Sequence, residues 1–281
     1  MNKPIIALLY DFDKTLSPRD MQEYGFIEGI GMTPEAFWGK CEEMSKRAEV
    51  DSILAYMYNM LREAEGKMLL TRSTFNRLGK SVELFPGVQS WFTRINAYAA
   101  AQGAVAEHYI LSSGLKEIIE GVSIAHEFKK IYAAEFFYND RGVPVWPAMA
   151  VNYTSKTQFL YRINKGILDP TDHSRLNEYI PENEKRIPFG NMIYFGDGMT
   201  DVPCMKLVRS GGGHSVAVYR GKREQAVKLL RQKRVDYIFP ADYSEGSALE
   251  VSVKQMIDSI ICQNLLAAEH SVQMQENDCR D

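Results

Sequence analysis

The chain is poor in the features that mark the simplest functional classes. Among 281 residues there are four cysteines, Cys41, Cys204, Cys262 and Cys279, and none forms a CxxC pair. A disulfide framework or structural zinc site needs closer, repeated spacings, so incidental thiols in a reducing compartment are expected. Charge of one sign is lacking too: 33 Lys+Arg face 36 Asp+Glu, a formal −3. That leaves no basic surplus to hold nucleic acid or an acidic membrane surface. The basic stretch of Lys222, Arg223, Lys228, Arg231, Lys233 and Arg234 has helical spacing and reads as a solvated face. No long apolar run exists. Ile5–Tyr10 is far too short to span a bilayer and has neither the length nor the cleavage site of a secretory signal. The expected location is cytoplasmic, with no membrane partner. The five histidines show no metal-ligand spacing, and Gly211-Gly212-Gly213 lacks the Gly-Lys-Ser/Thr of a phosphate loop. It reads as a turn before a strand at Ser215.

What is present is an ordinary globular balance, 45% hydrophobic and 25% charged. Ile5–Tyr10 is a continuous branched apolar run, as expected of a strand buried on both faces of a parallel sheet. Similar runs return at His108–Leu111, Ile131–Phe137, Met192–Phe195, Ser215–Val218 and Tyr237–Phe239. Segments of helical period lie between them, at Val88–Ala101, Leu115–Gly121, Lys156–Lys165 and Ala226–Gln232. The alternation predicts an α/β fold, a three-layer Rossmann-like core with a mainly parallel sheet. Ser155 with Gln158 and Ser247 with Glu250 have capping-box spacing, and Gly166 suits a helix stop. From Ser17 to about Leu84 no strand-like run occurs. Thr33-Pro34 reads as an N-cap with proline at the first helical position, and a small helical module is expected there. Tyr138–Gly142 has the composition of a hairpin tip. The polar, proline-punctuated stretch from Gly166 to Gly190 reads as an insertion.

Four features carry chemistry. Asp11-Phe12-Asp13-Lys14-Thr15 ends the first strand, and ligands in open α/β sheets gather beyond the carboxyl ends of strands. Side chains alternate along a strand, so Asp11 and Asp13 share a site only if the backbone turns there. Gly196-Asp197-Gly198-Met199-Thr200-Asp201 ends a second strand in aspartates among glycines. Asp201 stands where a dinucleotide fingerprint needs its third glycine, and carboxylates would repel a pyrophosphate. Carboxylates without a basic neighbour want a hard cation, and magnesium is the economical choice. Ser112-Ser113-Gly114 joins a strand to a helix, where a hydroxyl and amides could meet an anion. Lys156 stands just inside a helix start, where its charge opposes the helix dipole unless an anion offsets it.

Taken together, the order DxDxT, apolar-Ser-Ser-Gly, Lys, GDGxxD resembles the haloacid dehalogenase superfamily, from about Ile5 to Ile261. The helical module after DxDxT resembles the small cap of its phosphoserine-phosphatase-like branch. The resemblance implies a core of residues 1–17 and 85–265 and a helical cap of 18–84; beyond it, the polar stretch of 266–281 reads as a disordered tail. The resemblance also implies a phosphohydrolase for a small phosphorylated metabolite, with Asp11 as nucleophile and Asp13 as acid and base. Lys156, Ser112, Ser113 and Gly114 would meet the phosphate, and Thr15 would fix the loop. Mg2+ would lie among Asp11, the Asp13 carbonyl, Asp197 and Asp201. Asp20, Glu23 and Tyr24 are the cap-side candidates for specificity; no cap arginine among Arg47, Arg62, Arg72 and Arg77 stands in a matching context. Two alternatives remain open: transfer of the phosphoryl group to an acceptor hydroxyl, and a regulatory module that holds a phosphorylated ligand.

Overall fold

The computed structural model describes residues 3–221 and 223–278; Lys222 and Cys279 fall outside them. Strand β1 (Ile5–Tyr10) is followed by four helices without a strand between them: α1 (Phe26–Gly29), α2 (Pro34–Ala48), α3 (Ser52–Ala64) and α4 (Arg72–Gly79). Then come α5 (Val88–Ala101), β2 (Val105–Leu115), α6 (Lys116–Ile119), β3 (Phe128–Tyr138), β4 (Pro144–Met149), α7 (Lys156–Lys165) and α8 (His173–Asn177). The chain ends with β5 (Met192–Gly196), α9 (Val202–Ser210), β6 (His214–Tyr219), α10 (Glu224–Arg231), β7 (Tyr237–Pro240) and α11 (Ala248–Asp278). One seven-stranded sheet has the order β4-β3-β2-β1-β5-β6-β7, parallel except for the β3–β4 hairpin. No described helix is long and apolar enough to cross a membrane.

The apolar runs became strands because both faces of the sheet are covered. Ile6, Leu8 and Tyr10 face a core shared with α5, α11 and the α1–α4 segment, whereas Ala7 and Leu9 face one shared with α7 and α9. Chain direction across the sheet reverses at β1, with β2 and β3 on one side and β5, β6 and β7 on the other. Such a switch point leaves a crevice at the strand ends.

Several local expectations hold. Thr33 Oγ1 accepts from the Ala36 amide at 3.2 Å with Pro34 at the first position, and Gly166 ends α7 at φ 74°. The Asn139–Gly142 turn closes the β3–β4 hairpin. Others differ. Ser155 makes no cap to α7; its hydroxyl instead accepts from the Asn152 amide at 2.8 Å. Ser247 Oγ does accept from the Glu250 amide, but Glu250 reaches back to Gly246. The segment beyond 266, polar in composition, continues α11 through Asp278. The Gly166–Gly190 stretch has almost no regular structure, and the buried Arg162 guanidinium organises it by donating to the carbonyls of Asp169, Pro170 and Asp172.

A polar chain crosses one core. Trp91 Nε1 donates to Tyr10 Oη at 2.9 Å, Tyr10 in turn meets His108 Nδ1 at 3.1 Å, and His108 Nε2 meets Asn96 Oδ1 at 3.0 Å. With Tyr10 accepting from Trp91 and donating to Nδ1, every atom is satisfied by the neutral Nε2–H tautomer. Burial holds the His108 pKa down at about 3. Between its ordinary value and that one, the unfolded chain carries a proton that the folded chain refuses, so acid favours unfolding. Stability is therefore expected to fall by about 1 kcal/mol per pH unit below roughly pH 6. His108→Gln should flatten that slope in urea titrations between pH 6 and 5; an unchanged slope would assign it elsewhere.

Candidate active site

The carboxyl ends of β1 and β5 meet because the Asp11 amide donates to the Phe195 carbonyl at 2.9 Å. The chain then turns: the Thr15 and Leu16 amides both return to the Phe12 carbonyl, and Lys14 adopts a left-handed φ of 60°. This turn is what lets Asp11 and Asp13 face one cavity while Phe12 is buried.

Lys156, at the first turn of α7 and fully buried, lies 3.0 Å from Asp11 Oδ1 and 2.9 Å from Asp201 Oδ1. Tyr194 Oη donates to the same Asp201 oxygen at 2.8 Å, and the Asp197 amide reaches Asp201 Oδ2 at 3.3 Å. Gly196 makes room for this arrangement: a Cβ there would stand 2.4 Å from the Asp201 carboxyl carbon. Asp13 Oδ1 accepts from the Met21 amide at 2.8 Å. Ser112 Oγ accepts from the Gly114 amide at 3.0 Å, which leaves the Ser112 proton free to donate. Gly114 and its neighbours belong to β2, and α6 starts only at Lys116, so these amides sit at a strand end rather than at a helix N-terminus.

Negative charge is in excess. Asp11, Asp197 and Asp201 each place a carboxylate oxygen within 4.8 Å of the others. Burial raises Asp11 to about 6 against the pull of Lys156, and burial with Asp201 and Asp11 nearby raises Asp197 to about 8. Asp13 is pushed well above the usual carboxylate range by burial, then by Asp20 and Asp11. Burial alone would lower Lys156; Asp11 and Asp201 hold it above its ordinary value instead. One buried lysine cannot offset this group, and an all-oxygen donor set of this kind fits a hard divalent cation.

A cavity of about 640 Å³ opens over these groups, lined by Asp11, Asp13, Ser112, Ser113, Gly114 and Asp197 on the core side. Lys156 and Asp201 lie behind that lining, fully buried. Of the cap-side candidates, Asp20 lines the cavity, but Lys14 holds it at 2.7 Å. Glu23 and Tyr24 are not part of the lining. Tyr24 instead carries the Arg19 guanidinium 4.2 Å above its ring and accepts from Ser17 Oγ. The sequence reading missed Gln22, Trp38 and Tyr56, which do line it. Trp38 and Tyr56 lie on α2 and α3, outside any motif, and Gln22 has no charge to attract notice.

A family model for haloacid dehalogenase-like hydrolases matches residues 8–206. The chain belongs to this family. An uncharacterized protein of Borreliella burgdorferi is 30% identical to this hydrolase over 274 residues, covering 87% of this chain and 94% of that one. Among solved structures, a phosphoserine phosphatase carrying a phospho-aspartyl intermediate analogue superposes with a TM-score of 0.57 at 14% identity, covering 90% of this chain and 99% of the other. A haloacid dehalogenase family hydrolase from Salmonella enterica serovar Typhi gives 0.55 at 16% identity, with coverage of 86% and 69%. These structures share the hydrolase fold, with the Rossmann-like layering that the alternating sequence predicts.

Removing the buried cation strands its partners. Lys156→Met is expected to cost about 3 kcal/mol or more in urea unfolding at neutral pH without added divalent cations. The double variant Lys156→Met/Asp201→Asn should lose less than the sum of the singles. Additive losses would mean that the two residues do not act as one unit.

Proposed function

We propose that the protein is a magnesium-dependent phosphomonoesterase that releases phosphate from a small phosphorylated metabolite by way of an aspartyl-phosphate on Asp11. One observation carries this reading: Asp11 and Asp13 face the same cavity with different partners, the first paired with Lys156, the second accepting from the Met21 amide and pushed by burial above the usual carboxylate range. An ionised nucleophile beside a protonated acid is what displacement of an alkoxide requires. A carboxylate oxygen of Asp11 attacks phosphorus, the bond from phosphorus to the ester oxygen breaks, and Asp13 gives its proton to that oxygen. In the second half, Asp13 takes a proton from water as the water oxygen bonds to phosphorus. The phosphorus–oxygen bond to Asp11 then breaks, leaving inorganic phosphate and both carboxyl groups as they began.

Magnesium held by Asp11, Asp197 and the Asp13 carbonyl would screen the charge that otherwise keeps a carboxylate from a phosphate. Asp201 acts mainly through others, since both of its oxygens already hold Lys156, Tyr194 and the Asp197 amide. Lys156 fixes the Asp11 carboxylate, and the Ser112 hydroxyl and Ser113 backbone meet the phosphoryl oxygens. In this reading residues 1–17 and 85–265 form the catalytic core, and 18–84 form a cap that closes the cavity. The phospho-aspartyl analogue bound by the phosphoserine phosphatase of the same fold supports the same order of events.

Phosphate release from an aryl phosphate should require magnesium, stop with EDTA and recover when magnesium is restored. Asp11→Asn should abolish it, and Asp13→Asn should slow it by about 10²–10⁴-fold. Turnover by Asp11→Asn at the wild-type rate would sink the aspartyl-phosphate.

A further inference from the structure

We infer that this site takes a phosphomonoester of an uncharged, hydroxylated alcohol, a polyol or sugar phosphate, rather than an amino-acid phosphate; the inference rests on the phosphatase reading above. It comes from the charges that line the cavity. Apart from Asp11, Asp13 and Asp197 at the phosphate end, the charged side chains in the lining are Lys14, Asp20, Glu42 and Lys46. These four compensate one another: Lys14 to Asp20 at 2.7 Å, and Lys46 to Glu42 at 2.5 Å across one turn of α2. No unpaired charge among the described lining residues is left to meet an ammonium or a carboxylate on the leaving group. A zwitterion would have to open the Lys14–Asp20 or the Lys46–Glu42 pair, exchanging an existing ion pair for new ones of the same kind.

What remains in the lining is neutral. Trp38, Ile53 and Tyr56 supply broad apolar faces, and Gln22, Ser52 and Gln225 supply uncharged polar groups. Gln22 is the most telling. It is 2% exposed and lines the cavity, and its Oε1 has no hydrogen-bond partner. A buried carbonyl oxygen left unpaired costs about 1–3 kcal/mol, which a donor arriving with the substrate recovers. A hydroxyl provides that donor without a charge to desolvate, and the aromatic faces suit the C–H surfaces of a polyol or sugar ring. The cavity volume, about 640 Å³, is of the size that holds a whole small molecule rather than phosphate alone.

Four probes of similar skeleton separate the possibilities: glycerol 3-phosphate, 3-phosphoglycerate, O-phosphoserine and phosphoethanolamine, with glucose 6-phosphate and a nucleoside monophosphate beside them. With the full chain and magnesium, kcat/KM for glycerol 3-phosphate or glucose 6-phosphate should exceed that for every charged-alcohol probe by at least about tenfold. Gln22→Leu should raise KM for the preferred probe at least about fivefold with a smaller change in kcat. Lys14→Met, which frees Asp20, should raise the turnover of phosphoethanolamine relative to glycerol 3-phosphate. O-phosphoserine, phosphoethanolamine or 3-phosphoglycerate as the best substrate would overturn the inference and leave the phosphatase reading intact. So would a nucleoside monophosphate preferred over the polyol and sugar probes, or a Gln22→Leu variant with wild-type KM. Magnesium-dependent release from neither these probes nor the aryl phosphate would remove the phosphatase reading itself, and the inference with it.

Discussion

A single ammonium group, buried without access to water, joins the two halves of the sheet's functional edge. Lys156 Nζ stands within 3.0 Å of Asp11 at the end of β1 and 2.9 Å from Asp201 beyond β5. Burying that charge is costly unless it is paired, and burying the carboxylates without it would cost more. The surrounding sequence follows from this constraint. Gly196 has no side chain because the Asp201 carboxyl occupies the space a Cβ would need. Tyr194 and the Asp197 amide take the rest of the Asp201 oxygens, which fixes that carboxyl group against Lys156. Asp197 receives no such compensation, and its carboxyl is driven up to about 8 by burial and its acidic neighbours. Uncompensated charge at a fixed, oxygen-rich point is an electrostatic demand for a cation.

The sheet supplies the fixed point. The chain leaves β1 for β2 and β3 on one side and later returns to β5 on the other, so the two acidic loops diverge above adjacent strands. Loops at such a place are held by strands buried on both faces, which is why their side chains can be positioned closely without packing among themselves. Ser112 comes in along β2, next to β1 on the opposite side from Asp197. The sheet therefore sets the spacing between the Ser112 hydroxyl and the carboxyl groups of Asp11 and Asp197, whatever the helices of 18–84 do.

Much of this was legible because a motif fixes both residue type and place on a strand. Asp11, Asp13, Asp197 and Asp201 each follow an apolar run whose burial forces a strand, so their location needed no knowledge of packing. Lys156 was legible only by its order in the chain; its burial and its bond to Asp201 depend on α7 crossing the sheet. The cap side was least legible. Charge drew the reading to Asp20 and Glu23, but an ion pair to Lys14 neutralises the first and the second lies off the cavity. Gln22, uncharged and between them, has the buried unpaired oxygen. The Ser155 cap failed for a related reason: Asn152 turned its own side chain onto the Thr154 and Ser155 amides, and nothing in the spacing ranks one local cap over another.

The helical segment is attached to the core on two sides of different strength. Behind the site, α4 meets α6 with backbone against backbone: a Cβ on Gly79 would lie 2.1 Å from the Ile118 carbonyl oxygen, and one on Gly121 would lie 2.0 Å from that of Asn76. Across the cavity the attachments are hydrogen bonds, Tyr56 Oη to the Ser113 carbonyl at 2.9 Å and Asn152 Nδ2 to Asp51 Oδ2 at 3.0 Å. Such a bond contributes only about 0.5–1.5 kcal/mol net, and water can replace it. A glycine contact with no room for a methyl group has no comparable substitute, because separating it opens a void that nothing small fills. Any path by which a ligand enters beneath the helices is therefore cheapest through the Tyr56 and Asp51 side. Tyr56 bonds the backbone of Ser113, in the loop that lines the cavity beside Ser112 and Gly114, so breaking that contact and filling the cavity compete for the same short stretch of chain.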